Sequence, residues 1–119
     1  MMYALFLILN DIRKLDQIHE IFYEFGVGAT TMDSVGMGKV LLDHEIDIPI
    51  FSGIRKLVEG NKPYNKTIIS VIREEDKLRA VIDKINDELD HINKPGIGFM
   101  FVLPVLECYG SKLKEAKRP

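Results

Sequence analysis

Residues 66–106, KTIISVIREEDKLRAVIDKINDELDHINKPGIGFMFVLPVL, carry a strand, a helix and a second strand in one uninterrupted pattern. Lys66 to Arg73 is rich in β-branched residues, which favour a pleated, half-buried surface. Glu74, Glu75 and Asp76 then place acids where the positive end of a helix dipole favours them. Leu78, Val81, Ile82, Ile85, Leu89 and Ile92 follow at spacings of three and four, the apolar stripe of a helix with one buried face. Asn93, Lys94, Pro95 and Gly96 break that helix, and Phe99 to Leu106 supplies the second strand. Pro104 has no N–H to give to a sheet ladder, so it predicts an edge strand or a strand end.

The same order occurs upstream. Tyr3 to Leu9 is a continuous apolar run, the pattern of a strand covered on both faces or central in a sheet. From Lys14 the period changes: Leu15, Ile18, Phe22 and Phe25, broadened by Ile21, predict a helix that Gly26 ends. Ala29 to Val35 reads as a weaker strand, stopped by Gly36 and Gly38. Strand, helix, strand therefore occurs twice. That order predicts an α+β, ferredoxin-like βαββαβ sandwich spanning residues 1–119 as one domain, with two helices on one face of a four-stranded antiparallel sheet. One helical layer leaves the other sheet face in need of a cover, and self-association is the simplest one.

Composition narrows the function classes. With 119 residues, 46% hydrophobic and 29% charged, the chain is long enough and apolar enough to bury roughly two thirds of its unfolded surface. Sixteen basic residues against eighteen acidic ones give a net charge of −2, which offers no long-range field for nucleic acid or an anionic membrane. The basic residues from Lys112 to Arg118 read as a solvated tail over 110–119. A single cysteine, Cys108, excludes an intramolecular disulfide and suits a reducing compartment, so a cytoplasmic protein is expected. The run from Met1 to Leu9 is too short to span a bilayer and meets Asn10 and Asp11 instead of a cleavage site.

The connection between the two halves, residues 37–65, is far longer than a hairpin requires, and ordered connections of that length usually carry function. Leu41, Leu42, Ile46, Ile48, Ile50, Phe51, Ile54 and Leu57 are too many apolar residues for a solvated loop. They fit equally well packed on the protein's own subunits or forming a docking surface for a partner protein. His44, Glu45 and Asp47 have metal-ligand chemistry, but neighbours in an extended chain point to opposite faces, which favours a solvated acidic loop. His19 and His91 read as surface histidines, and Cys108 has no histidine nearby in sequence, so no catalytic arrangement emerges. Gly36 with Gly38 and Gly96 with Gly98 can each bring backbone N–H groups close to an anion.

Three strings extend these readings. KLDQI at Lys14–Ile18, GMGK at Gly36–Lys39 and FVLPV at Phe101–Val105 resemble KLDDV, GFGR and FVLPV of the PII nitrogen-regulatory signal-transduction proteins, and the likeness in element order runs along nearly the whole chain. The resemblance implies a cytoplasmic homotrimer without enzymatic activity. It would bind ATP, ADP or another adenine nucleotide in clefts between subunits and act on a target protein through loop 38–65. By position it implies that Thr30 contacts adenine, that Gly36, Gly38 and Lys39 form the loop base, and that Gly96 and Gly98 form the phosphate turn.

The sequence also departs from that family. Phe99 stands where it has a phosphate-binding lysine, Ile97 where it has an aspartate, and Val40 where a glutamine helps hold magnesium and 2-oxoglutarate. Leu106 to Ser111 lacks the family's two arginines, and no tyrosine stands at its modification position. Charge-assisted hydrogen bonds contribute about 1.5–3 kcal/mol each, so these departures weaken triphosphate binding and leave a less charged adenine nucleotide, another small molecule or no ligand as the alternatives, with Lys39 and Lys94 left to meet an anion. Two other readings use the same fold. A CutA-type trimeric metal-responsive protein would lean on His44, Glu45 and Asp47. A small acylphosphatase-like enzyme would need an arginine just after the first strand, where Asn10 and Asp11 stand.

Overall fold

In the first strand, burial alternates residue by residue: Leu5, Leu7 and Leu9 are fully buried, and the residues between them are not. This period of two belongs to a strand covered on one face. The structure, a computed structural model, describes residues 1–38, 65–90 and 96–110. Its elements are β1 (Met2–Leu9), a 3₁₀ turn (Ile12–Lys14), α1 (Leu15–Glu24), β2 (Thr30–Ser34), β3 (Asn65–Ile72), α2 (Glu75–Glu88) and β4 (Gly98–Val105).

The four strands form one sheet in the order β2-β3-β1-β4, antiparallel at every pairing. This is the ferredoxin-like arrangement that the doubled pattern predicts. The apolar first strand is central, and β4 with its Pro104 is an edge. β2 is one residue shorter at each end than its sequence pattern suggests. Most of loop 37–65, Lys39, His91, Ile92, Lys94 and the tail beyond Gly110 lie outside the described residues.

Both helices lie against the face that carries Leu5, Leu7, Leu9, Ile68 and Ile72. Ile18, Ile21 and Phe22 of α1 and Leu78, Val81 and Ile85 of α2, with Leu89 just beyond it, complete that core. Full burial of one such aliphatic side chain contributes roughly 1.5–3 kcal/mol. Gly26 ends α1 at φ +69°, with its N–H bonded to the Tyr23 carbonyl (3.0 Å) and the Val27 N–H to that of Phe22 (3.1 Å). That pair of bonds and the left-handed residue between them make a Schellman cap, which returns Val27 to the core.

Ser70 is the one polar side chain buried in this layer among the described residues. Its hydroxyl donates to the Gly28 carbonyl at 2.6 Å, which removes the penalty of burying it and ties the α1–β2 connection to β3. At the other end of β1, the Tyr3 hydroxyl donates to Glu75 (3.1 Å) in the first turn of α2. The same bond raises the Tyr3 pKa above its ordinary value.

Candidate functional site

The sheet has two chemically different ends, and the one where β2 stops and β3 begins is polar. Asn10, Ser34, Asn65 and Thr67 gather there on the face away from the helices. This follows from the register, because Thr67 is opposite Ile8, Asn65 is opposite Ser34, and β1 carries its other face to the core. The Ser34 hydroxyl donates to the Asn65 side-chain oxygen and lies 2.8 Å from the Thr67 hydroxyl. The Asn65 amide donates to the Asn10 side-chain oxygen at 3.1 Å. All four side chains are uncharged, so the cluster offers hydrogen bonds and no formal charge.

Beside it, the turn before β4 is fastened to the end of β1. The Ile97 carbonyl accepts from the Asn10 N–H at 2.9 Å and, more weakly, from the Asp11 N–H at 3.4 Å. Gly98 has φ +142°, and a Cβ there would stand 2.1 Å from the Ile8 carbonyl oxygen. Only glycine lets β4 come this close to β1, which gives Gly98 a packing reason alongside any ligand role.

Among the described residues, the cations near this end are engaged. Arg13 pairs with Asp11 (2.8 Å), Lys14 with Glu88 (3.3 Å), and Lys66 with Asp33. Asp11 also accepts from the Arg13 N–H and so caps the 3₁₀ turn. The hydrogen bond from the Arg13 side chain holds the Asp11 carboxyl below the usual carboxylate range, and Arg13 is raised in turn. An anion arriving here must compete with carboxylates already in place.

Of the residues singled out in the sequence, the described ones fall into two groups within one chain. Thr30, Gly36 and Gly38 belong to β2 and the segment after it, at one edge of the sheet, whereas Gly96 and Gly98 sit at the start of β4, the opposite edge. Three strand spacings separate those edges, about 14 Å. Thr30, Gly36 and Gly96 are exposed, Gly38 and Gly98 are half-buried, and Lys39 falls outside the described residues. His44, Glu45 and Asp47 also fall outside. Among the described residues no cluster of three or more histidines, cysteines, aspartates or glutamates is placed to hold a metal. His19 is exposed on α1, as expected, and its Nε2 lies 2.7 Å from the Thr31 hydroxyl.

A groove between α1 and α2 is lined by Gln17, Glu20, Ile21, Glu24, Lys84, Asp87 and Glu88. With four carboxylates to one ammonium, it repels anions and does not suit a nucleotide phosphate.

The face away from the helices is apolar beyond its polar end. Ala4, Phe6, Ile8, Ile69, Val71, Phe99, Phe101, Leu103 and Val105 share it by register. Phe99 is 55% exposed, Leu103 47% and Phe101 38%. Phe101 stacks on Phe6 with ring centroids 4.9 Å apart and on Phe99 at 5.9 Å, so the three rings form one continuous ladder.

No protein-family model matches the chain, and no curated protein sequence matches it. Solved structures do. The PII protein of Arabidopsis thaliana, described as bound to citrate, has a TM-score of 0.56 at 19% identity, covering 87% of this chain and 77% of its own. CPII from Thiomonas intermedia K12, described as bound to ADP, AMP and acetate, also has a TM-score of 0.56. Its identity is 16%, with 95% of this chain and 92% of its own covered. At these identities the likeness is one of architecture: the chain has a PII-like fold. No helix among the described residues is long and apolar enough to cross a membrane.

Proposed function

We propose that the protein is a non-enzymatic, PII-like signalling regulator that works as a homotrimer. It takes a small effector between subunits and acts on a partner protein through loop 38–65. The observation that carries this reading is the placement of its candidate contacts: Thr30, Gly36 and Gly38 lie at one edge of the sheet, Gly96 and Gly98 at the other. Each chain offers half a site at each edge, and a neighbouring chain would supply the missing half. The exposed ladder of Phe6, Phe101 and Phe99 is the kind of surface that association buries.

An adenine nucleotide is the effector class the resemblance implies, and the CPII structure with ADP and AMP supports it by analogy. The charge pattern favours a weakly charged member of that class. Phe99 stands where the resemblance would put a phosphate-binding lysine, and Arg13, Lys14 and Lys66 are already paired.

Sedimentation and calorimetry with ATP, ADP, cyclic nucleotides and 2-oxoglutarate test the reading together. A trimeric mass and saturable binding of an adenine nucleotide, with ATP no tighter than the less charged members, is the expected result. A folded protein that stays monomeric and binds none of them overturns it.

A further inference from the structure

The base of the long connection and the glycine turn before β4 are joined through one residue. Asn10 closes β1, the strand that lies between β3 and β4. Its side-chain oxygen accepts from Asn65, the first residue of β3, which in turn accepts from Ser34, the last residue of β2. Its backbone N–H donates to Ile97, one residue before the start of β4. A path of hydrogen bonds therefore runs Ser34, Asn65, Asn10, Ile97 across the whole width of the sheet.

We propose that Asn10 is a positioning residue that couples the loop base at Ser34 and Asn65 to the Gly96–Gly98 turn. The strand ladders already fix the register of β1 against β3 and β4. The Asn10 side chain adds a tie to Asn65 beyond the end of the β1–β3 ladder, and its backbone N–H adds one to Ile97 beyond the end of the β1–β4 ladder, where strands otherwise fray. Three features suit it to that work. Every member is uncharged, so a shift of one does not move a formal charge. Asn10 uses different groups for its two partners, and can hold both at once. Gly98 lets β4 approach β1 closely, since a Cβ there would stand 2.1 Å from the Ile8 carbonyl oxygen, and this keeps the Ile97 carbonyl within reach of the Asn10 N–H.

The use of this tie in signalling rests on the loop reading proposed above. The coupling itself does not, and its test needs no effector.

Amide hydrogen exchange followed by NMR on the full chain, with Ser34→Ala as the perturbation at the loop base, reads the coupling. In the otherwise wild-type chain, Ser34→Ala is expected to speed exchange of the Asn10 amide, bonded to Ile97, by about two- to tenfold, the size of one net hydrogen bond. In an Asn10→Ala background Ser34→Ala should change the residue 10 amide no further. Asn10→Asp keeps the acceptor and should keep the response. A purely structural role for Asn10 would slow or speed exchange in every background alike. An Asn10 amide indifferent to Ser34→Ala, or a response that persists in Asn10→Ala, overturns the proposal. The first comparison stands even where Asn10→Ala does not fold. A protein that binds no nucleotide can still show the coupling, and one that binds nucleotide can still lack it, so the two readings fail separately.

Discussion

The two faces of the sheet are built from the same kinds of side chain and differ in what covers them. Beneath the helices, Leu5, Leu7, Leu9, Ile68 and Ile72 are wholly or almost wholly buried within one chain. On the other face, Val71, Phe99, Phe101 and Leu103 keep between a third and somewhat over half of their surface. A soluble domain rarely leaves a contiguous apolar face of that kind to water. The difference separates two jobs: the covered face holds the chain folded, and the open face is available for association.

Paired truncations on the two faces break this comparison most directly. Leu7→Ala empties a fully buried site and is expected to cost about 3.5 kcal/mol in urea unfolding, the middle of the range for such cavities. Phe101→Ala removes the middle ring of the open ladder and should cost the chain itself less, about 0.5–1.5 kcal/mol for the lost stacking. In the trimer proposed above, its larger effect should appear in sedimentation, as a shift of mass toward the monomer that Leu7→Ala does not cause while folded. Equal costs for the two, or an assembly unmoved by Phe101→Ala, would erase the distinction between the faces.

The edge strand β4 gives a sharper effect, smaller than that of Leu7→Ala. Gly98→Ala places a Cβ against the Ile8 carbonyl, at a φ that side chains rarely adopt. The strain is expected to cost about 1–3 kcal/mol and to loosen β4 from β1. In the ¹⁵N spectrum the Asn10 and Phe99 resonances should shift most, ahead of Leu78 or Val81 in the helix. A variant as stable as the parent, with those resonances in place, would mean that the close approach of the two strands is dispensable.

How much of this was legible beforehand depends on whether the signal is local. The stripe of α2 and the apolar run of β1 are periodic within a few residues, and both elements appear on those residues, although α2 stops at Glu88, with Leu89 just past it and Ile92 outside the described residues. The edge position of β4 follows from one missing N–H at Pro104. The uncovered face follows from having one helical layer for four strands. The polar cluster has no local signal. Ser34 and Asn65 are 31 positions apart, and Asn10 and Asn65 are 55, so only strand register brings them together. The glycine pairs were visible as pairs. That Gly98 is demanded by contact with Ile8 could not be seen, because β1 and β4 are distant in sequence and adjacent only in the sheet.

The smallest expected effect concerns Asp11, one residue beyond Asn10 at the same end of the sheet. Its carboxylate is stabilised chiefly by the hydrogen bond from the Arg13 side chain, so its pKa in the folded protein lies below that of the unfolded chain. A carboxyl shifted in that direction contributes stability that is fully present above the unfolded pKa, about 3.9, and disappears as pH falls through the lower, folded value. Arg13 is largely exposed, with 83% of its side-chain surface in water, so solvent screens the pair and the contribution is modest. Asp11→Asn removes the charge and keeps an oxygen that can cap the 3₁₀ turn. The urea midpoint of the parent should therefore exceed that of Asp11→Asn near neutral pH, and the gap should close below about pH 4 as the parent's carboxyl protonates. A gap that is constant with pH would assign Asp11 to capping alone. A gap that closes would show that the charge pair with Arg13 adds to the cap.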